Sequence, residues 1–129
     1  MSDDTLNPKD RAALKRIPLH YMPDIGRVEG AKACVDGAFK YDPYNWRDQK
    51  ISLSGYLDAI ERHLVRIREG EWIDKQSGVS HFGHIIATAS IVLDAEHYGS
   101  LINDLPAPIS PAISLVDEAN AFMLRKLEK

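Results

Sequence analysis

His81 and His84 stand three residues apart, so on a helix both imidazoles project from one face, with Thr88 completing the row. Neutral imidazoles at this spacing can bind one divalent ion or orient a water beside it. The ordinary alternative is that two histidines near a helix start cap it or lie on its surface. Three carboxylates precede them, Glu69, Glu71 and Asp74, the last two in an E-x-x-D spacing. Carboxylate oxygens suit Mg²⁺ or Mn²⁺, and a triphosphate normally arrives with such an ion. The chemistry requires these acids to converge with Asp58 and the histidines; without convergence they form a solvated acidic turn.

Three other groups of residues carry chemical potential. Glu29, Asp36 and Lys40 follow one another at seven and four positions, which puts them within about 40° on a helix. Asp58 and Arg62 form an i,i+4 pair with His63 beside them, and a plain surface ion pair is the simplest reading. The run Lys40-Tyr41-Asp42-Pro43-Tyr44-Asn45-Trp46-Arg47 combines two cations, an amide and three aromatics. Cations hold phosphate oxygens, a ring stacks on a base and an asparagine reads its edge. The same aromatics serve equally well to anchor a loop. The chain has no Walker lysine loop, no G-x-S-x-G and no CxxC, which disfavours P-loop, hydrolase-elbow and zinc-ribbon chemistry.

Positioning these groups falls to helices. Pro8, Pro18 and Pro23 make residues 1–23 an irregular arm, in which Ile17 to Met22 is apolar enough to pack along a core. A first helix is expected from after Pro23 to about Lys40, with Val28, Ala31, Val35 and Ala38 as its apolar stripe. Gly26, Gly30 and Gly37 each weaken it by about 1 kcal/mol relative to alanine, and a close approach to a neighbouring helix would explain them. Residues 41–50 read as a loop. The spacing of Leu53, Leu57, Ile60, Leu64 and Ile67 predicts a second helix over about 52–69, capped by Ser52 or Ser54 and ended by Gly70. A third covers about 79–98, with Gly99 as its stop. The proline-rich connection at 100–111 leads to a last helix at 112–129, with Leu115, Ala119, Phe122 and Met123 on one side. With no convincing strand and no repeat, the reading is all-α: a four-helix, bundle-like single domain over 1–129.

Composition narrows the partners. Sixteen Lys and Arg against nineteen Asp and Glu give a formal charge of −3, which argues against nucleic acid as a partner but not against a nucleotide. The single cysteine, Cys34, sits among apolar residues as a core side chain, and a free thiol fits a reducing cytoplasm. The acidic start Met1-Ser2-Asp3-Asp4 does not resemble a signal peptide. No apolar run reaches the ~20 residues of a membrane span. A cytoplasmic protein without membrane contact is expected, in the host cell if it is phage-encoded.

The ordered set Asn7-Pro8-Lys9-Asp10, Ile17-Pro18-Leu19, Asp36 to Tyr41, Asn45-Trp46-Arg47, Tyr56, Asp58-Ala59 and Arg62-His63-Leu64 resembles the phage dATP/dGTP diphosphohydrolase family. The similarity continues through Gly70-Glu71, Asp74, Ser77-Gly78, His81, His84, Ile91, Asp94-Ala95 and Asp104. That family is similar to the MazG-like all-α NTP pyrophosphatases. The resemblance implies a helical bundle that hydrolyses a purine deoxynucleoside triphosphate to monophosphate and pyrophosphate with Mg²⁺ or Mn²⁺, as a homodimer or larger assembly, adjusting a phage nucleotide pool. In the MazG-like pattern an E-x-x-E pair lies on one helix and an E-x-x-D pair on the next. Here no helix carries E-x-x-E, and Glu71/Asp74 precede the third helix.

Taken together, Asp58, Glu71 and Asp74, with Asp36 behind them, are the expected metal-binding acids. His81 and His84 are the expected ligands or water-orienting groups. Lys40 and Arg62 would hold the phosphates, Asn45 and Trp46 would meet the base, and Tyr41 and His63 are further expected substrate-binding residues. Two other readings stay open: a triphosphohydrolase that releases the whole triphosphate, and a phage nucleotide-binding protein that sequesters its ligand without turnover.

Overall fold

In the computed structural model, which describes residues 5–107 and 111–128, the chain is all-α and bundle-like, with one minimal sheet. Helix α1 is Pro8–Ala13, α2 Asp24–Tyr41, α3 Asn45–Asp48, α4 Leu53–Arg68, α5 His81–Tyr98 and α6 Ala112–Leu127. Strands β1 (Ile51–Ser52) and β2 (Leu101–Ile102) pair in parallel, Ile51 opposite Leu101. The acidic start at 1–4, positions 108–110 within the proline-rich connection and Lys129 of the last expected helix lie outside the described residues.

Helix α5 is the centre, packed against α2 on one side and α4 on the other. The α2–α5 contact is made of small residues. A Cβ on Gly83 would lie 2.8 Å from the Glu29 carbonyl oxygen, and one on Gly30 would lie 2.8 Å from Ile86 Cγ2. Both glycines are therefore required by close approach of the two helices; of the three glycines expected to serve this on the first helix Gly30 does, whereas a Cβ on Gly26 would make ordinary contact with Ile86 at 3.5 Å and one on Gly37 would meet nothing within 4 Å. Ala33, Val79 and Ala87 form the buried cluster between them. The larger apolar side chains of α2, Ile25, Val28, Val35 and Phe39, point outward and are exposed. The expected apolar stripe thus does not face the core, because only glycine and alanine fit so tight a contact.

Three further sequence expectations are corrected. Ile17, Leu19 and Tyr21 of the arm are exposed rather than packed, and the arm contains α1 and a 3₁₀ turn at Leu19–Tyr21. The 41–50 loop contains α3, entered through left-handed backbone at Asp42 (φ 75°) and Tyr44 (φ 56°) on either side of Pro43. The sheet was not legible, since two residues per strand carry no alternation. Helix α6 contributes no buried residue to the bundle.

Caps fix the remaining ends. The Ser52 hydroxyl accepts from Gly55 N–H at the start of α4. Asp104 accepts from Ser54 N–H (2.9 Å), Ser54 Oγ (2.6 Å) and Ser52 Oγ (2.7 Å), which ties the segment after β2 to the same helix start. These donors hold the Asp104 carboxyl at about 2, the Ser54 hydroxyl contributing most. The Ser80 hydroxyl caps α5, and Gly99, at φ 72°, ends it in the left-handed conformation expected.

Candidate active site

The turn from Glu71 to Ser80 folds back on the start of α5. Ile73 bridges Ser80, Asp74 N–H donates to Val79 O (2.9 Å), and His81 N–H donates to Trp72 O (3.0 Å). Gly78 takes φ 74° to reverse the chain. This small hairpin sets Glu71 and Asp74 beside the first turn of α5, where His81 and His84 emerge. Glu71 Oε1 lies 3.4 Å from His81 Nε2, and Asp74 Oδ2 lies 3.4 Å from His84 Nε2. The expected convergence is met in part: Glu71 and Asp74 come together with His81 and His84, whereas Glu69 is exposed at the end of α4.

His63, from α4, completes the cluster. Its Nδ1 is 2.8 Å from His81 Nδ1, and its ring stacks on His84 with centroids 4.8 Å apart and planes 4° from parallel. One of the two close nitrogens donates and the other accepts, so His63 and His81 cannot both be charged. His81 is wholly buried, and its Nε2 has no hydrogen-bond partner. It is neither a cap nor a surface residue. His63, grouped with substrate contacts in the sequence, belongs with the other histidines.

Ser77 ties the cluster's acid to its base. Its hydroxyl donates to Asp74 Oδ2 (3.1 Å) and lies 2.7 Å from His84 Nε2. With its one proton on Asp74, Ser77 accepts from His84 Nε2–H, a tautomer assigned by this network that leaves Nδ1 as a lone-pair acceptor. Ser77 was not singled out as chemical in the sequence; serine in a loop gives no signal until the fold places it.

The electrostatics favour neutral imidazole beside ionised carboxylate. Burial lowers the His63 pKa, and the neighbouring His84 and His81 lower it further. Burial also lowers His84 and outweighs the upward pull of Asp74 and Asp36. For Asp74 burial acts upward, but hydrogen bonds from Gln76 N–H and Ser77 bring its pKa below the ordinary carboxyl value. In Glu71 the upward effect of burial is overcome by Arg66, Lys75 N–H and His81. The α2 stripe reaches the same place: Asp36 and Lys40 pair at 3.0 Å and both act on the His84 charge.

A cleft of about 1050 Å³ opens between α2 and α4 over α5, lined among others by Tyr41, Asn45, Trp46, Tyr56, Arg62 and Thr88. The histidines are not part of its lining; Thr88 follows His84 by one turn of α5, where its hydroxyl donates to the His84 carbonyl (2.8 Å), and Arg62 precedes His63 on α4. Arg62 has no hydrogen-bond or ion-pair partner among the described residues, and its expected pairing with Asp58 is not formed. Asp58 lines a shallow depression on α4 with Glu61, Arg62 and Arg66. No contact joins it to the histidines among the described residues.

At the far end of the cleft the α3 segment is clamped. Asp94 accepts from Trp46 Nε1 (2.6 Å) and from Arg47 Nε (2.8 Å) and Nη2 (2.9 Å). Arg47 also lies over the rings of Tyr44 (4.3 Å) and Tyr98 (4.1 Å). The Arg47 and Trp46 bonds hold the Asp94 carboxyl at about 2. Arg47 is thus committed to the loop rather than to phosphate. Asn45, half-buried on the cleft wall, has no side-chain partner among the described residues.

Residues 6–105 match the family described as dATP/dGTP diphosphohydrolase, N-terminal. The chain belongs to this family. The match takes in α1 to β2 and with them both the histidine cluster and the clamped loop, while α6 lies beyond it. Comparison with curated proteins found no match, and neither did comparison with solved structures. No helix among the described residues is long and apolar enough to cross a membrane.

Proposed function

We propose that the chain hydrolyses dATP or dGTP to the monophosphate and pyrophosphate with Mg²⁺ or Mn²⁺. The observation that carries this reading is a neutral-histidine, ionised-carboxylate cluster built on the same helices, α2, α4 and α5, as a cleft that offers free Arg62, free Asn45 and the Trp46 ring. Family membership supports the substrate class.

The donor set fits a hard divalent ion in one particular way. No three His, Cys, Asp or Glu side chains among the described residues converge as a ready-made cage. Mg²⁺ does not need one, because it is commonly held by one or two carboxylates with substrate phosphates and waters filling its other positions. Asp74 and Glu71 would hold the ion, with Asp36 near them; Asp58, set apart on α4, would not. When bound, the ion neutralises charge on the triphosphate and lowers the pKa of a coordinated water.

The chain's own groups do the rest. Lys40 and Arg62 hold phosphate oxygens at the boundary between cleft and cluster. A water attacks the α-phosphorus, the α–β bridging bond breaks, and pyrophosphate leaves. His84 Nδ1 takes the proton of the attacking water, with Ser77 and Asp74 fixing the ring through Nε2. Tyr41 and Trp46 meet the base by stacking and Asn45 by hydrogen bonding. The clamp on Arg47 and Trp46 keeps that wall in place. We also propose that the chain works as a homo-oligomer.

The test is a screen of common NTPs and dNTPs with Mg²⁺ or Mn²⁺, resolving monophosphate, diphosphate, pyrophosphate and triphosphate. Monophosphate plus pyrophosphate from dATP or dGTP, abolished by EDTA and restored by either ion, is expected. Release of intact triphosphate overturns the bond assignment. Saturable binding without any product overturns the reading as an enzyme, and full turnover after thorough chelation overturns the metal.

A further inference from the structure

The chain exposes far more surface than its mass accounts for. A compact monomer of 14.5 kDa presents about 6,900 Å² to solvent. This chain presents 10559 Å², an excess of about 3,700 Å² over that scaling. Obligate interfaces between subunits bury about 2,000–5,000 Å² in total, or about 1,000–2,500 Å² from each partner, so the excess is more than enough surface to supply one such interface per chain.

Two helices carry much of the apolar part of that excess, and their patterns match. On α2, Ile25, Val28, Lys32, Val35 and Phe39 follow at intervals of three, four, three and four. The four apolar members are 55–89% exposed. On α6, Ile113, Val116, Asn120, Met123 and Leu127 follow at the same intervals, and its four apolar members are 51–75% exposed. A 3-4 repeat is the seam of a two-helix contact. Each seam has one polar residue, at its middle position. Laid together in either direction, parallel or antiparallel, the two seams put Lys32 opposite Asn120 and apolar residues opposite apolar residues. A lone polar layer of this kind fixes register. Neither helix can satisfy its own seam: the opposite side of α2 is committed to α5 through Gly30, and α6 has no buried residue.

We infer that α6 of one copy docks along the α2 seam of a second copy, so that α6 is the assembly element of this chain. This rests on the reading of the chain as a homo-oligomer, not on its nucleotide chemistry. Helix α2 also carries Asp36 and Lys40 toward the histidine cluster and contributes Tyr41 to the cleft. The docked helix therefore braces the outer side of the element that forms one wall of the site.

Disulfide trapping tests the pairing. Lys32→Cys and Asn120→Cys are made separately and together in a Cys34→Ala background, with differently sized tags on the two single variants, and oxidised by oxidised glutathione. A disulfide between unlike chains in the mixture of the two single variants, absent from each alone, is expected. Helical content by circular dichroism confirms that the variants fold. Trapping of Lys32→Cys with itself means α2 pairs with α2, and trapping of Asn120→Cys with itself means α6 pairs with α6. Either overturns the inference. An intramolecular disulfide in the double variant at monomer mass assigns the seam to the chain's own α6 and also overturns it. A dimeric or larger mass by light scattering with no trapped species refutes the α6 docking alone, whereas a monomeric mass at micromolar concentration refutes the assembly reading as well. As a second measurement, Val116→Asp with Met123→Asp should lower the oligomeric mass of the full chain; an unchanged mass overturns the inference.

Discussion

At the histidine end of the site charge is suppressed, and at the aromatic end it is enforced. His63, His81 and His84 sit within contact of one another, burial lowering the pKa of His63 and His84. Across the cleft, Asp94 and Arg47 are locked in an ion pair that keeps the carboxyl near 2 and raises the guanidinium further. The difference separates two tasks. A group that must accept a proton near neutral pH has to be uncharged there, and burial among other imidazoles achieves that. A group that only holds a loop in shape works best fully ionised at every working pH. The histidine end is therefore the reactive end, and the aromatic end is scaffold for recognition.

The largest effect should come from breaking the reactive end. Asp74→Asn and His84→Ala should each lower kcat by about 10²–10⁴, the range of a lost acid–base or metal-holding group, with helical content by circular dichroism unchanged. Full activity in both variants would make the cluster a structural feature and erase the contrast between the two ends. Breaking the scaffold should do less. Asp94→Asn leaves Arg47 without its ionised acceptor, and misplacement of the α3 wall should cost about 10- to 100-fold in kcat/KM, carried mainly by KM. A loss confined to kcat would instead place Asp94 in the chemistry.

Acid should separate the two ends without mutation. The pKa values of His63 and His84 are depressed in the fold, so below the unfolded value of about 6.5 the unfolded chain binds protons that the folded chain does not. Stability then declines as pH falls below that point, until the lower folded-state values are reached. Turnover should fall in the same window, by about tenfold per unit once His84 titrates. For Asp94 and Asp104 the sign is the same but the window lies lower. Their stabilisation is complete above the unfolded value of about 3.9 and is lost only as pH falls through about 2. Activity at pH 5.5 should thus be reduced while the Trp46 fluorescence of a Trp72→Phe variant stays native. Simultaneous loss of both signals would mean that the two ends do not titrate independently.

What the sequence made legible follows the same division. Helix positions came through because the apolar period, Ser52, Gly70 and Gly99 are local signals. Glu71, Asp74, His81 and His84 were legible as a group because fourteen consecutive positions span them all and one hairpin folds them together. The separation of Asp58 from the histidines was not legible, because spacing on a helix gives its face but not which neighbour that face meets. His63 and Ser77 acquire their roles only through contacts between α4, the hairpin and α5. Asp94 lies forty-seven positions from Arg47, and no periodicity links them. The outward turn of Val28 and Val35 was hidden for a related reason. Hydrophobicity marks a residue for burial without saying whether its own core or another chain supplies the cover.

The smallest expected effect concerns base choice, and it tests whether the aromatic end recognises anything. The Asn45 amide lies half-buried in the cleft wall with both its donor and its acceptor unclaimed among the described residues. Adenine offers an N–H donor and a ring-nitrogen acceptor along one edge, where guanine offers two acceptors. An amide can serve either purine, by presenting its oxygen and nitrogen together or its nitrogen alone. Asn45→Asp removes the donor and keeps the acceptor, so one contact to adenine survives and both contacts to guanine are lost. The ratio of kcat/KM for dATP over dGTP should rise by roughly five- to tenfold, the scale of one base-edge hydrogen bond. Using the ratio cancels any general repulsion between the new carboxylate and the triphosphate, which both substrates share. Asn45→Ala, which loses both functions, should lower both substrates with a smaller change in their ratio. If Asn45→Asp shifts neither the ratio nor the rates, the amide does not meet the base, and recognition at this end reduces to stacking on Trp46 and Tyr41.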